Sequence, residues 1–224
     1  MNHHCIVTFV IPSLNRPTLG RTIESLLRQS NPNWKCVVVF DGCAGVTFAD
    51  PRICTIYLPV RQGKTIQVRE QTCGQAGRVR NVGMKKCESE WIGFVDDDDT
   101  LDPEYVSVLC SRYAPISHIE AVVWRMRRAD GVVLPPVECH TLQRNYVGIS
   151  FCFKRRLGVF FQNNSQFEDY EFLQKVVVAA GGPSHVLIAP EVFYYVNQDV
   201  PNRTNYPKFI FSPEKKIENV TTFR

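Results

Sequence analysis

Short β-branched apolar runs that stop abruptly on polar residues set the frame for what this chain can become. Residues 5 to 11 (CIVTFVI) close at Pro12, Trp34 to Phe40 end at Asp41-Gly42, and Trp91 to Val95 run into four consecutive aspartates, Asp96 to Asp99. Runs that are apolar throughout belong to strands covered on both faces, the habit of parallel sheets. Between the first two, Pro17 opens a helix in which Leu19, Ile23, Leu26 and Leu27 recur at helical spacing; Ala76, Val79, Val82 and Cys87 mark another before the third. A shorter strand fits Ile53 to Leu58, and the polar stretch from Arg61 to Gly74 carries no clear element. Such alternation predicts an α/β domain with a mostly parallel sheet. Beyond a helix from Pro103 to about Tyr113 come strand-like pieces near Ile119 to Met126, Gly131 to Leu134 and Val147 to Phe153. An amphipathic helix from about Phe167 to Ala180 and a strand pair, Val186 to Ile188 and Val192 to Val196, follow.

The aspartate tetrad therefore falls at a carboxyl strand end, on the same rim as Asn15 and Asp41. In open α/β sheets, ligands bind in the crevice outside those ends. Carboxylates packed this closely repel one another by roughly 1 kcal/mol per pair in water and by more in a cleft, which calls for a cation. Hard oxygen ligands suit Mg²⁺ or Mn²⁺, and Mg²⁺ is usually held by one or two carboxylates together with substrate phosphates. An EF-hand is excluded, because Leu101 stands where the turn glycine belongs and Ser107 where the bidentate Glu belongs. Gly63-Lys64-Thr65 lacks the first glycine of a phosphate-binding P-loop, whose place Leu58 takes.

At 224 residues, 44% hydrophobic and 21% charged, the chain is long enough for one large core and ordinary enough to be globular. No run reaches the length of a membrane span, and no secretory signal opens the sequence, so a reducing cytoplasm is expected. Nine cysteines without a CxxC pair speak against a disulfide framework or a zinc ribbon. A formal charge of +4 is too mild to imply nucleic acid. The clusters Arg125-Arg127-Arg128 and Lys154-Arg155-Arg156 read as solvated faces, with an anionic acceptor or peripheral membrane contact as the alternative.

Taken together, VTFVIPSLNRP (Val7 to Pro17), VVVFDG (Val37 to Gly42), GRVRNVG (Gly77 to Gly83), WIGFVDDDDTLDP (Trp91 to Pro103) and FEDYEFL (Phe167 to Leu173) resemble the family 2 glycosyltransferases. The resemblance implies the GT-A fold: a single Rossmann-like, mostly parallel sheet flanked by helices, with a small antiparallel addition in the C-terminal half. It would occupy residues 1–199, with a nucleotide-binding half at about 1–102, an acceptor and catalytic half at about 103–199, and an arm at 200–224. It implies an inverting, metal-dependent transfer of a sugar from a nucleoside diphosphate donor, UDP-sugar favoured, to a hydroxyl of a glycan or glycoprotein. A catalytically inactive nucleotide-sugar or glycan binding module of the same fold is the alternative.

By the same resemblance, Pro12, Asn15 and Arg16 frame the nucleotide, and Asp41 touches the base edge, where a carboxylate can accept a ring N–H. Arg80 and Arg78 lie near the donor diphosphate. The DxD pattern fits Asp96 and Asp98, or Asp97 and Asp99. The first register puts Asp96 near the ribose and at the metal with Asp98, and leaves Asp97 on the nucleotide side. Asp169 is the expected base, and Ser165 with Glu168 fits a capping box on the helix that carries it. The histidine common after the last strand is absent, leaving Asp199 or water for that metal position. Trp124 and Tyr146 are candidate sugar-stacking rings.

Overall fold

The computed structural model describes residues 6–68, 71–162 and 167–197. In chain order its elements are β1 (Val7–Ser13), α1 (Leu19–Leu27), β2 (Trp34–Asp41), β3 (Ile53–Leu58), β4 (Lys64–Val68), β5 (Gln71–Gln75), α2 (Gly77–Met84) and β6 (Trp91–Phe94). Then come β7 (Thr100–Leu101), α3 (Tyr105–Val108), β8 (Ala121–Arg127), β9 (Val133–Leu134), β10 (Phe151–Lys154), α4 (Glu168–Ala179) and β11 (Val186–Tyr195). One sheet runs in the order β3-β2-β1-β6-β10-β8-β11-β7, with β9 on β8. From β3 to β6 every pairing is parallel; β10 lies antiparallel to both β6 and β8, and β7 antiparallel to β11. The α/β fold with an antiparallel addition in the C-terminal half is thus what the chain forms.

The apolar runs sit where that pattern demands. Every residue of β6 and all but Pro12 of β1 are buried, because helices cover the sheet. Leu19, Thr22, Ile23 and Leu26 form the inward face of α1. On α2, Gly83 lets the helix backbone close on the sheet: a Cβ there would stand 2.4 Å from Val10 Cγ1 and 3.1 Å from Val39 Cγ2. Below α4, Phe94, Phe151, Phe153, Phe161 and Phe172 pack edge-to-face and stacked, with Phe161 and Phe172 centroids 3.9 Å apart.

Two elements differ from expectation. The polar stretch after Arg61 contains the β4–β5 hairpin, a separate two-stranded sheet whose thin apolar content hides it from pattern reading. The strand pair expected near the end is the single strand β11; Pro190, which has no N–H to give, sits where the register against β8 shifts between Ile188 and Val192. Among the described residues no helix is long and apolar enough to cross a membrane. The seven cysteines whose side chains are described are free thiols.

Candidate active site

Parallel strands β1, β2 and β6 bring Ser13, Asp41 and the chain entering Asp96 to one edge of the sheet. There the start of α2, the start of α4 and the turn after β11 enclose a cavity of about 460 Å³. Its lining includes Pro12, Arg16, Asp41, Arg80, Glu168, Asp169 and all four aspartates of the tetrad. Asn15, Arg78 and Tyr146 are not among the lining residues. Asn15 serves the turn instead: it holds a left-handed conformation, φ 57°, and its N–H donates to Ser13 Oγ at 2.9 Å.

The tetrad alternates between buried and half-buried carboxylates. Asp97 and Asp99 are the buried pair. Asp97 accepts from Ser13 Oγ at 2.8 Å, from the Leu14 N–H at 3.1 Å and from Arg16 Nη1 at 3.2 Å. Asp99 accepts from Tyr194 Oη at 2.7 Å and from the Asn197 N–H at 2.9 Å. Burial first, then the charge of Asp96, pushes the Asp99 carboxyl up to about 7, against the pull of those two donors. Asp96 and Asp98 keep a face toward the cavity. Arg16 Nη1 reaches Asp98 at 2.9 Å, and Arg80 Nη2 reaches Asp96 at 2.6 Å. Burial, and then Asp96 beside it, hold the Asp98 carboxyl above its ordinary value despite Arg16. Helix α1 supports the tetrad's backbone, with Thr22 Oγ1 donating to the Asp99 carbonyl at 2.7 Å and Arg21 Nη2 to the Asp98 carbonyl at 3.0 Å.

Arg80 is the hub between the two walls. It is 3% exposed, and its guanidinium meets Asp96 at 2.6 Å and Glu168 and Asp169 at 3.2 Å each. Burial works against its charge, but Asp96, Asp169 and Glu168 more than offset that and drive its pKa upward. Glu168 has a further task. Its carboxylate accepts from the N–H groups of Ala76 at 2.7 Å and Gly77 at 3.2 Å, so it caps the N-terminus of α2 from 91 residues away. A Cβ on Gly77 would stand 2.8 Å from Phe161 Cβ and 3.0 Å from Glu168 Oε2, so a glycine opens that helix. The capping box expected on α4 rests on Ser165, which lies outside the described residues.

Asp169, one residue on, lines the cavity with 30% of its side chain exposed. Burial lifts its carboxyl from an ordinary 3.8 to about 6; Arg80 pulls it down, while Asp96 and Glu168 push it up. A carboxylate held above its ordinary value and facing a cavity is a candidate for proton transfer.

At the other end, Asp41 is buried and accepts from the N–H groups of Gln62 at 2.5 Å and Gly63 at 2.9 Å. Gly42, φ 65°, lets that loop close: a Cβ there would lie 2.4 Å from the Arg61 nitrogen. The cavity also presents Ser13, Arg61, Arg144 and Asn197, none of which stands out in the sequence. Three expectations are corrected. Trp124 is fully buried against Tyr105, Tyr113 and Phe193, so it is core and cannot stack on a sugar. Arg125 is buried, donating to the carbonyls of Pro135, Pro136 and Val137, and Lys154 is buried beside Glu120; neither belongs to a solvated face. Asp199 lies outside the described residues.

WcaA of Escherichia coli, a candidate colanic acid biosynthesis glycosyl transferase, is 24% identical over 233 residues, covering 93% of this chain and 78% of WcaA. Three further curated relatives match over less of their length, the chain spanning 28%, 31% and 29% of them. Residues 1–349 of S. aureus TarS in complex with UDP-GlcNAc share the fold at TM-score 0.67 and 17% identity, over 90% of this chain and 62% of that one. The mannosyltransferase PcManGT from Pyrobaculum calidifontis, in complex with GDP-Man and Mn²⁺, does so at TM-score 0.60 and 14% identity, over 90% and 59%. The model of Glycosyl transferase family 2 matches residues 8–136, more than half of the sequence. The chain belongs to glycosyl transferase family 2.

Proposed function

We propose that this chain is an inverting glycosyltransferase: it moves a sugar from a nucleoside diphosphate donor, UDP-sugar favoured, to a hydroxyl of a glycan or glycoprotein acceptor with the aid of Mn²⁺ or Mg²⁺. The observation that carries the metal dependence is the charge of the cavity. Seven carboxylates and four guanidinium groups line it, a net charge of −3 when all are ionised. A diphosphate entering alone would meet repulsion, so a cation has to accompany it. Among the described residues no three His, Cys, Asp or Glu side chains converge as a metal cage. Two half-exposed carboxylates, Asp96 and Asp98, nevertheless fit a hard cation that completes its shell with phosphate oxygens. Such an ion, when bound, neutralises charge that builds on the departing nucleoside diphosphate.

Each wall of the cavity then has its own task. Pro12, Arg16 and Asp41 border the nucleotide, with Asn15 shaping the turn and Asp97 anchoring it to the tetrad. Arg80 sits too deep among carboxylates to be a free phosphate clamp, and it holds Asp96 and Asp169 in fixed relation instead. Arg78, outside the lining, has at most an indirect part. Asp169 takes the proton from the acceptor hydroxyl as its oxygen attacks the anomeric carbon from the face opposite the diphosphate. The TarS and PcManGT complexes, which hold UDP-GlcNAc and GDP-Man with Mn²⁺, support a nucleotide-sugar donor and a metal.

Calorimetry with UDP, in the presence and absence of Mn²⁺, tests this reading. Wild type should bind UDP at least tenfold more tightly with the ion, and Asp98→Asn should lose that dependence. UDP binding indifferent to Mn²⁺ in both proteins would overturn the metal assignment.

A further inference from the structure

The four cavity guanidinium groups are not equivalent. Arg16 and Arg80 are neutralised by the tetrad and by α4, and Arg61 stands beside Gly42 at the nucleotide end. Arg144 lies on the opposite wall. Its guanidinium carbon is 4.2 Å from the centroid of Phe167, the residue immediately before Glu168 and Asp169. Among the described residues it has no carboxylate partner, although both acids follow the ring it stacks on. The segment bearing it is pinned: Tyr170 Oη donates to the Leu142 carbonyl at 3.4 Å, and Val147 is buried. The contact with Phe167 engages the guanidinium through its charge over the ring and uses none of its fork of N–H donors on a carboxylate.

We infer that Arg144 forms an acceptor subsite for an anion, so that the acceptor carries a carboxylate or phosphate group close to the hydroxyl that attacks. This rests on the reading of Asp169 as the base, because it is Asp169 that makes this wall the acceptor side. The electrostatics support it. Glu168 and Asp169 would repel an acidic acceptor, and the cation beside them is the group that turns this wall attractive to one. A neutral sugar would need no such charge, and a hydrogen-bonding amide would serve it as well.

Three probes decide the matter, titrated by ligand-detected NMR into protein saturated with UDP and Mn²⁺: methyl β-D-glucoside, methyl β-D-glucuronide and glucose 6-phosphate. One acidic probe should bind the wild type about tenfold more tightly than the neutral glucoside, and which one it is identifies the anion as carboxylate or phosphate. In Arg144→Gln the preference should fall to about one, and Arg144→Lys should retain part of it, while UDP affinity is unchanged in both. Equal binding of acidic and neutral probes to wild type, no binding of either acidic probe, a preference that survives Arg144→Gln, or a loss of UDP affinity in that variant would each overturn the inference. Failure of UDP and Mn²⁺ to bind wild type would instead count against the nucleotide-sugar reading.

Discussion

Asp169→Asn should make the protein more stable at pH 8 while removing most of its transfer activity. Burial holds the Asp169 carboxyl at about 6 against an ordinary 3.8. A raised carboxyl contributes stability that is fully present below the unfolded value and is lost as pH rises through the folded one, so the penalty on wild type builds between about pH 4 and pH 6 and is complete above that window. At 1.36 kcal/mol per pKa unit the ceiling is about 3 kcal/mol. The side chain keeps 30% of its surface exposed, and screening by solvent brings the expected gain to about 1–2 kcal/mol. Arg80 is not orphaned by the change, because Asp96 and Glu168 remain its partners. In a chain of this size that gain corresponds to a rise in Tm of roughly 2–8 °C. Calorimetric melts in EDTA should therefore superimpose for wild type and variant at pH 4 and separate by that amount at pH 8. Turnover should fall by about 10² to 10⁴ with UDP still bound. A variant that melts below wild type at pH 8 would refute the reasoning, since the attraction to Arg80 would then outweigh the cost of burial.

Glu168→Ala should cost about 2–4 kcal/mol in urea unfolding, because it strips the acceptors from Ala76 and Gly77 and one partner from Arg80; Glu168→Gln, which keeps an acceptor oxygen, should cost less than half as much. Equal losses in the two variants would mean that charge, not capping, dominates. Gly83→Ala drives a methyl group to 2.4 Å from Val10 Cγ1 and should destabilise by about 1–3 kcal/mol, read as a lower urea midpoint with an unchanged slope.

The frame of the fold was legible because it is written locally. Apolar runs stopping at Pro12, Asp41 and Asp96 announced parallel strands and the edge where they end, and the helical spacing of Leu19, Ile23 and Leu26 announced the cover. What escaped was set by contacts between distant parts of the chain. Glu168 has the composition of a first-turn acid on its own helix, and only the approach of Gly77 shows that it caps another. Arg125 and Lys154 read as surface cations, because a pattern cannot show that carbonyls and Glu120 await them inside. Within the tetrad the letters are identical, so only the donors around Asp97 and Asp99 separate them from their half-exposed neighbours.

Tyr194 and Asn197 grip Asp99 from the far end of β11, and β7, just past the tetrad, pairs with that same strand. The acidic edge consequently stays unfinished on a growing polypeptide until nearly a hundred more residues have left the ribosome. A fragment stopping before Tyr194 would present loose, mutually repelling carboxylates instead of a formed cavity, so splitting the gene after the tetrad should yield two halves neither of which keeps the Asp99 contacts.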